Sequence, residues 1–384
     1  MGRALHQNGV PSHRLESALE RVSRSLGLDG SYFSTPTALF VSLQGKTHLL
    51  RVDPGEVDLG RMYDLDVIAD AVIEGDIDEV DGAAKVSEVL AAPPRYGLVL
   101  SLLAFLLASA TAAPFMGGGL YDAAIAGACG LVTGGLHTLS ERVEAIGRLF
   151  VPLAAFCCSL LTQVAATQLA LQPETTLVAG LIVLVPGLTL TTAISELASG
   201  HLASGTARFM AAAMSFLTMG VGVALGLSLG GALAVDPMTA VIAPLPGWVS
   251  WTILPFAALA FLVLFKARLA DLPWIIIAGY LAIGCAYFGN LAIGPALSAF
   301  AGAAGVAIFA NGFARFRKRP AATVLVPGLI LLVPGSLGFA GVTAMLGNDT
   351  IGGIESVVSM LFVAGALVAG ILVANVVVPP VRSL

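Results

Sequence analysis

Leu181–Gly187 reads LIVLVPG, and the pattern returns 148 residues later as LILLVPG over Leu329–Gly335. A second landmark keeps almost the same spacing, because Asp122 and Asp271 each precede an apolar run and lie 149 residues apart. Two landmarks in one register indicate an internal repeat, which is a common architecture of membrane transporters. The alternative is that Leu-Val-Pro-Gly arose twice by convergence in apolar helices.

The composition divides the chain between two solvents. Of its 384 residues 57% are hydrophobic and only 11% are charged, against roughly 25% charged in an average soluble domain. Residues 1–94 hold 15 of the 24 acidic residues, so this part faces water and the remainder faces lipid. The composition excludes a simple water-soluble enzyme, and the net charge of −5 without a basic patch predicts no nucleic-acid partner. All four cysteines lie in apolar runs, so we expect no metal site and no cofactor.

Uncharged runs define the membrane spans, because roughly 20 apolar residues cross a bilayer and a charge at its centre is costly. Nine runs follow Arg95, and the 43-residue run is interrupted at Gly294-Pro295, so it holds two helices. The chain is therefore predicted to have ten spans. The runs are 96–121, 123–140, 149–173, 175–195, 209–235, 237–265, 272–314, 320–348 and 356–381.

The positive-inside rule agrees with this count. With ten spans, all eleven Lys and Arg residues beyond residue 94 fall on one side, which places both termini in the cytoplasm. The alternative is that one run is re-entrant or buried, but this would place a basic loop on the side opposite the cytoplasm. Because five is odd, two five-helix copies are inverted relative to each other. The predicted fold is a membrane all-α protein with a 5+5 inverted repeat over 95–235 and 236–384, preceded by a small cytoplasmic α+β domain over 1–94.

Both Leu-Val-Pro-Gly segments fall near the middle of their spans. Proline removes a backbone donor and the glycine after it accepts most backbone angles, so each helix is predicted to break and to line a cavity. A half-helix N-terminus suits a carboxylate, and neighbouring hydroxyls suit a small polar substrate. The alternative is a simple packing kink. The predicted substrate-binding residues are Pro186, Gly187, Thr189, Thr192, Pro334, Gly335 and Ser336.

Four carboxylates near the membrane are candidates for proton coupling, because burial favours the protonated form of an acid. They are Glu196 and Glu355, which are preferred, and Asp122 and Asp271 at repeat-related positions. Each is equally explained as an acid that stabilises a helix N-terminus.

The N-terminal domain is predicted to contain helices over 12–27, 58–74 and 78–90, with β-rich stretches over 31–43 and 47–52 between them. We find no nucleophile paired with a base, no phosphate loop and no metal-ligand spacing there. A regulatory, gating or docking role is therefore expected rather than an enzyme activity.

Motifs in both the N-terminal domain and the membrane part resemble the threonine/serine exporter family, from about residue 14 to residue 379. The motifs are Tyr32–Ser42, Arg51-Val52, Val57–Gly60, Leu184–Gly187, Asp271–Trp274 and Leu332–Ser336. The resemblance implies a bacterial inner-membrane exporter of threonine and serine driven by the proton gradient. Export of a dicarboxylate such as succinate, a passive channel and a membrane scaffold remain alternatives, and a homodimer is compatible with the small-residue helices.

Overall fold

The computed structural model describes residues 1–53, 55–233 and 245–380. The predicted boundary between residues 235 and 236, and Arg382 near the C-terminus, lie outside these residues.

The N-terminal domain combines four helices with a three-stranded antiparallel sheet of order β1-β2-β3. The stretch 31–43, predicted as one β-rich segment, is two strands joined at Pro36-Thr37, because a proline there cannot donate to the ladder. The short α1 was not predicted. Side chains of Asp58 and Asp78 accept hydrogen bonds at the N-termini of α3 and α4. The elements are α1 Gly2–Gln7, α2 Ser12–Ser25, β1 Gly30–Thr35, β2 Ala38–Leu43, β3 Lys46–Arg51, α3 Leu59–Glu74 and α4 Glu79–Ala91.

The remaining described chain is helical, apart from short connections and a 3₁₀ turn at Leu269–Asp271. The predicted interruption of the run 272–314 is observed at Gly294, between α12 and α13. The helices are α5 Leu98–Phe115, α6 Leu120–Ser140, α7 Glu144–Ala166, α8 Pro173–Gly180, α9 Gly187–Ala198, α10 Leu202–Leu233, α11 Trp248–Leu264, α12 Leu272–Ile293, α13 Pro295–Arg317, α14 Ala322–Ile330, α15 Gly335–Leu346 and α16 Thr350–Val377.

Eight helical segments within the described residues are long and apolar enough to cross a membrane, taking α14 and α15 together. This number is lower than the ten spans predicted from uncharged runs. α11 has only 17 residues, and α8 and α9 have 8 and 12 residues and are separated by a break. The protein is a multi-pass membrane protein with mostly helical structure and a small N-terminal sheet.

Helix contacts in the first half recur in the second. α6 packs on α5, α7 and α8, and α12 packs on α11, α13 and α14. α10 contacts α7, α9 and α15, while α16 contacts α13, α15 and α9. α5 packs against α11, and α9 packs against α15, so these two contacts join the first half of the membrane part to the second.

In the described residues, the apolar core of the N-terminal domain is continuous with that of the membrane part. Leu59, Met62 and Leu65 of α3 belong to the same buried cluster as Ala258 and Leu262 of α11. The cluster also includes residues of α12 and α14, all of which belong to the second half of the membrane part. The domain is therefore packed onto that half.

Candidate functional site

Two broken helices meet at the centre of the membrane part. One helix stops at Gly180 and restarts at Gly187, and the other stops at Ile330 and restarts at Gly335. The residue before each restart is a proline, Pro186 or Pro334, and the two have nearly the same backbone angles, φ/ψ −79°/41° and −81°/31°. The missing N–H and the steric demand of these prolines favour the breaks, whereas Pro327 of a third Leu-Val-Pro-Gly is accommodated inside α14.

The first break leaves backbone groups without backbone partners. Among the described residues, no backbone N–H donates to the carbonyl groups of Ile182, Val183 or Leu184. The amides of Leu188 and Thr189 at the start of α9 likewise donate to no backbone carbonyl. Such groups are costly in lipid and are tolerated where a cavity or protein can satisfy them.

The second break repeats this arrangement. The amides of Ser336 and Leu337, at the start of α15, have no backbone acceptor within the described parts of the chain, and the carbonyls of Leu331 and Leu332 have no backbone donor there. Each half-helix thus has an N-terminus with a positive partial charge, and the two N-termini lie close together.

Glycine is required where the two half-helices touch. A Cβ built on Gly187 would lie 3.2 Å from the Cα of Gly335 and would overlap the side chain of Val333. A Cβ on Gly335 would lie 3.3 Å from the Cα of Gly187 and would overlap Val185. The missing side chains permit this close approach of two backbones.

A cavity of about 980 Å³ reaches from the two breaks to the N-terminal domain. Its walls are mostly apolar, and three of its polar lining residues lie together, since Glu56 of the N-terminal domain contacts both His137 and Lys266. The serine and threonine residues of the lining are Ser101, Thr111, Thr138, Thr189, Thr192, Ser215 and Ser336. The charged and histidine lining residues are Glu56, His137, Glu141, Arg142, Arg208 and Lys266.

The structure brings together most of the predicted substrate-binding residues, although they are distant in sequence. Those that line the cavity are Pro186, Gly187, Thr189, Thr192, Gly335 and Ser336. Pro334 precedes α15 without being part of the lining. Such an enclosure, with exposed backbone dipoles and a few hydroxyls, suits a small polar molecule.

The four predicted proton-coupling carboxylates are not brought together, and none of them lines the cavity. Asp122 is fully buried and accepts hydrogen bonds from the amides of Gly119 and Gln172, each at 2.7 Å, and from the Thr176 hydroxyl at 2.6 Å. These bonds fasten the start of α6 to the start of α8.

The other three carboxylates have different surroundings. Asp271 is buried and forms an ion pair with Arg319. Glu196 is also buried, and its Oε2 lies 3.1 Å from Nε of Arg208, which lines the cavity. Glu355 is exposed on α16.

Several cavity residues were not predicted from the sequence. They include His137 in the last turn of α6, Arg208 in α10, Lys266 after α11, and Glu56 of the N-terminal domain. Glu56 lies 3.4 Å from the Lys266 amine and 3.7 Å from His137 Nε2. The basic character of three of these positions was visible in the sequence, but their common cavity depends on tertiary packing.

Comparison with known proteins identifies the family. Residues 1–230 match the sequence model described as "Putative threonine/serine exporter", and residues 250–377 match the one described as "Threonine/Serine exporter, ThrE". No solved structure matches the chain.

Curated relatives are fungal membrane proteins. The "Pheromone-regulated membrane protein 10" of Candida albicans (strain WO-1) is 28% identical over 369 residues, which cover 88% of this chain and 32% of the relative. The protein of that name from Saccharomyces cerevisiae (strain YJM789) is 24% identical over 357 residues, covering 88% of this chain and 46% of the relative. The chain thus spans about a third to a half of the length of these relatives. The two family matches together cover most of the chain, which belongs to the threonine/serine exporter family.

Proposed function

We propose that the chain is a secondary active transporter that exports threonine or serine from the cytoplasm and is driven by the proton gradient. The observation that carries the proposal is the meeting of two broken helices, through Gly187 and Gly335, beside a cavity that extends to the N-terminal domain. Family membership supports the substrate class.

The proposed architecture is ten spans in a 5+5 inverted repeat, counting α8 with α9 and α14 with α15 as single broken spans. Equivalent helix contacts in the two halves support it, as does the central pairing of α9 with α15. Two equivalent halves exchange inward-open and outward-open states by rocking about a central site.

The site offers a partner for each polar group of a hydroxy amino acid. The free amides at the starts of α9 and α15 suit the carboxylate, since helix N-termini attract anions. Carbonyls released at Ile182–Leu184 suit the ammonium group. The side chains of Thr189, Thr192 and Ser336 then suit the substrate hydroxyl.

The orientation follows from the basic loops. Arg142 and Lys266 line the cavity, Lys266 contacts Glu56 of the N-terminal domain, and positive loops mark the cytoplasmic side. The described state is therefore proposed to be open to the cytoplasm, with both termini on that side of a bacterial inner membrane.

Glu196 is the first choice for the proton among the four carboxylates. It is buried, and its partner Arg208 lines the cavity, so a change in the protonation of Glu196 alters the charge of the cavity wall. Glu355, Asp122 and Asp271 follow, the last two because their hydrogen-bond and ion-pair partners do not line the cavity.

Reconstitution into liposomes tests the proposal. The purified protein is given an imposed pH gradient, and the movement of labelled threonine, serine and succinate is followed with and without an uncoupler. Amino-acid flux that the uncoupler abolishes is the expected result. Downhill flux insensitive to the uncoupler would establish a channel instead, and absence of any flux would favour a scaffold.

Export of a dicarboxylate is the second candidate, because the cavity has more basic than acidic side chains in its lining. His137, Arg142, Arg208 and Lys266 line it, against Glu56 and Glu141. Succinate flux without amino-acid flux in the same liposomes would select this candidate.

A further inference from the structure

The N-terminal domain is attached to both halves of the membrane part. Its attachment to the second half is largely apolar, because α3 shares a buried cluster with α11, α12 and α14. The Leu59 amide also donates to the Phe265 carbonyl at 2.9 Å. The ring of Tyr63 lies 4.1 Å from the guanidinium carbon of Arg268 and 5.5 Å from that of Arg319.

The attachment to the first half has a buried polar centre. Oε1 of Glu196 accepts the Ser12 amide at 2.9 Å, and Oε2 accepts the Ser204 hydroxyl at 2.8 Å. The Ser12 hydroxyl donates to the Ser204 hydroxyl at 2.7 Å, and His201 Nε2 lies 3.2 Å from Glu16. These five residues are called the polar junction.

The polar junction acts on a helix of the proposed site. Glu196 lies near the end of α9, which begins at Gly187 and carries Thr189 and Thr192 on the cavity wall. Its carboxylate binds the first residue of α2, where the helix dipole favours a negative charge. The cytoplasmic end of α9 is thus held by the N-terminal domain.

We propose that the N-terminal domain moves with the second half and that the polar junction opens once in each transport cycle to release α9. A domain bonded to two bodies that rock against each other must separate from one of them. The hydrogen bonds that Ser12 makes with Glu196 and Ser204 exchange for water at small net cost, whereas parting the shared apolar cluster exposes a large surface. This inference rests on the proposed function, because it requires that the two halves of the membrane part rock against each other.

A disulfide across the polar junction tests the inference. The side chains of Ser12 and Ser204 touch and are both buried, so the S12C/S204C variant is expected to cross-link under mild oxidation. Threonine exchange in liposomes should fall at least tenfold on oxidation and return on reduction. The single variant S12C controls for the four native cysteines.

A cysteine pair between the N-terminal domain and the second half of the membrane part serves as the control. Y63C/R268C, joined by a short bis-maleimide, ties the domain to the second half and should leave the exchange rate of that variant unchanged. Unchanged exchange in oxidised S12C/S204C, or failure of that pair to cross-link at all, would overturn the inference.

A second readout separates this inference from the proposed function, since it needs no substrate. S336C, added to the S12C/S204C variant, is treated with a membrane-impermeant maleimide from the side opposite the N-terminal domain. Labelling in the reduced protein that disappears on oxidation supports the polar junction as a movable contact even if no threonine flux is found. Equal labelling in both forms contradicts it.

Discussion

Gly187→Ala tests the contact between the two half-helices directly. The added methyl group would lie 3.2 Å from the Gly335 Cα and 3.3 Å from its amide nitrogen, and it would overlap the Val333 side chain. Val333 can turn away at a cost of about 0.5–1.5 kcal/mol, but the backbone of α15 must also shift. Overpacking of this kind lowers the free energy of unfolding by about 1–3 kcal/mol.

Val333→Ala provides the second arm of a double-mutant cycle. It removes the overlapping Cγ1, so part of the loss in Gly187→Ala should be recovered in the double variant, with a coupling of at least about 0.5 kcal/mol. The assay is the apparent melting temperature in detergent, accompanied by threonine exchange in liposomes. Gly135→Ala in α6 is the control, because its methyl group would meet no atom within 4 Å.

The outcome that would refute the reasoning is specific. If Gly187→Ala melts and transports like Gly135→Ala, the half-helices do not meet at their glycines, and the central site must be assigned elsewhere. A loss of exchange with unchanged melting temperature would instead indicate that the contact matters for movement rather than for stability.

Three further predictions follow. Asp122→Asn should lower the free energy of unfolding by roughly 1.5–3 kcal/mol, since an amide NH₂ facing the Gly119 N–H cannot accept its bond; an unchanged melting temperature would contradict this. Arg319→Gln should cost about 3–5 kcal/mol by leaving Asp271 buried and unpaired, and adding Asp271→Asn should restore much of the melting temperature. Burial lowers the pKa of His13 from 6.5 to about 4, so stability is complete above pH 6.5 and decreases as the pH falls toward 4; His13→Asn should flatten this part of a melting-temperature profile against pH.

Local sequence carries much of the membrane architecture. Although the same Leu-Val-Pro-Gly at residues 325–328 lies inside the unbroken helix α14, the breaks before Gly187 and Gly335 were predictable because proline and glycine weaken their own helix. The turn at Gly294 was predictable for the same reason. The number of spans was harder to obtain, because the 17-residue α11 and the broken pair α8 and α9 do not satisfy a simple length rule.

Contacts between distant segments could not be predicted. Glu196 was interpreted as a membrane carboxylate, but its partner Ser12 is 184 residues away and is brought to it by the packing of the N-terminal domain. Arg208 was counted only as a basic loop residue, although it lines the cavity. The contact of Glu196 with Ser12 and the position of Arg208 on the cavity wall both depend on which helices pack together. No local sequence pattern encodes this packing.

The apolar cluster shared by α3 and α11 has a consequence for biosynthesis. Leu59, Met62 and Leu65 are synthesised almost 200 residues before Ala258 and Leu262, their partners in that cluster. While the first half inserts into the membrane, Leu59, Met62 and Leu65 lack these partners and expose apolar surface to water. Such a surface binds chaperones and favours aggregation. The packing of the N-terminal domain is therefore completed last, although its residues are translated first.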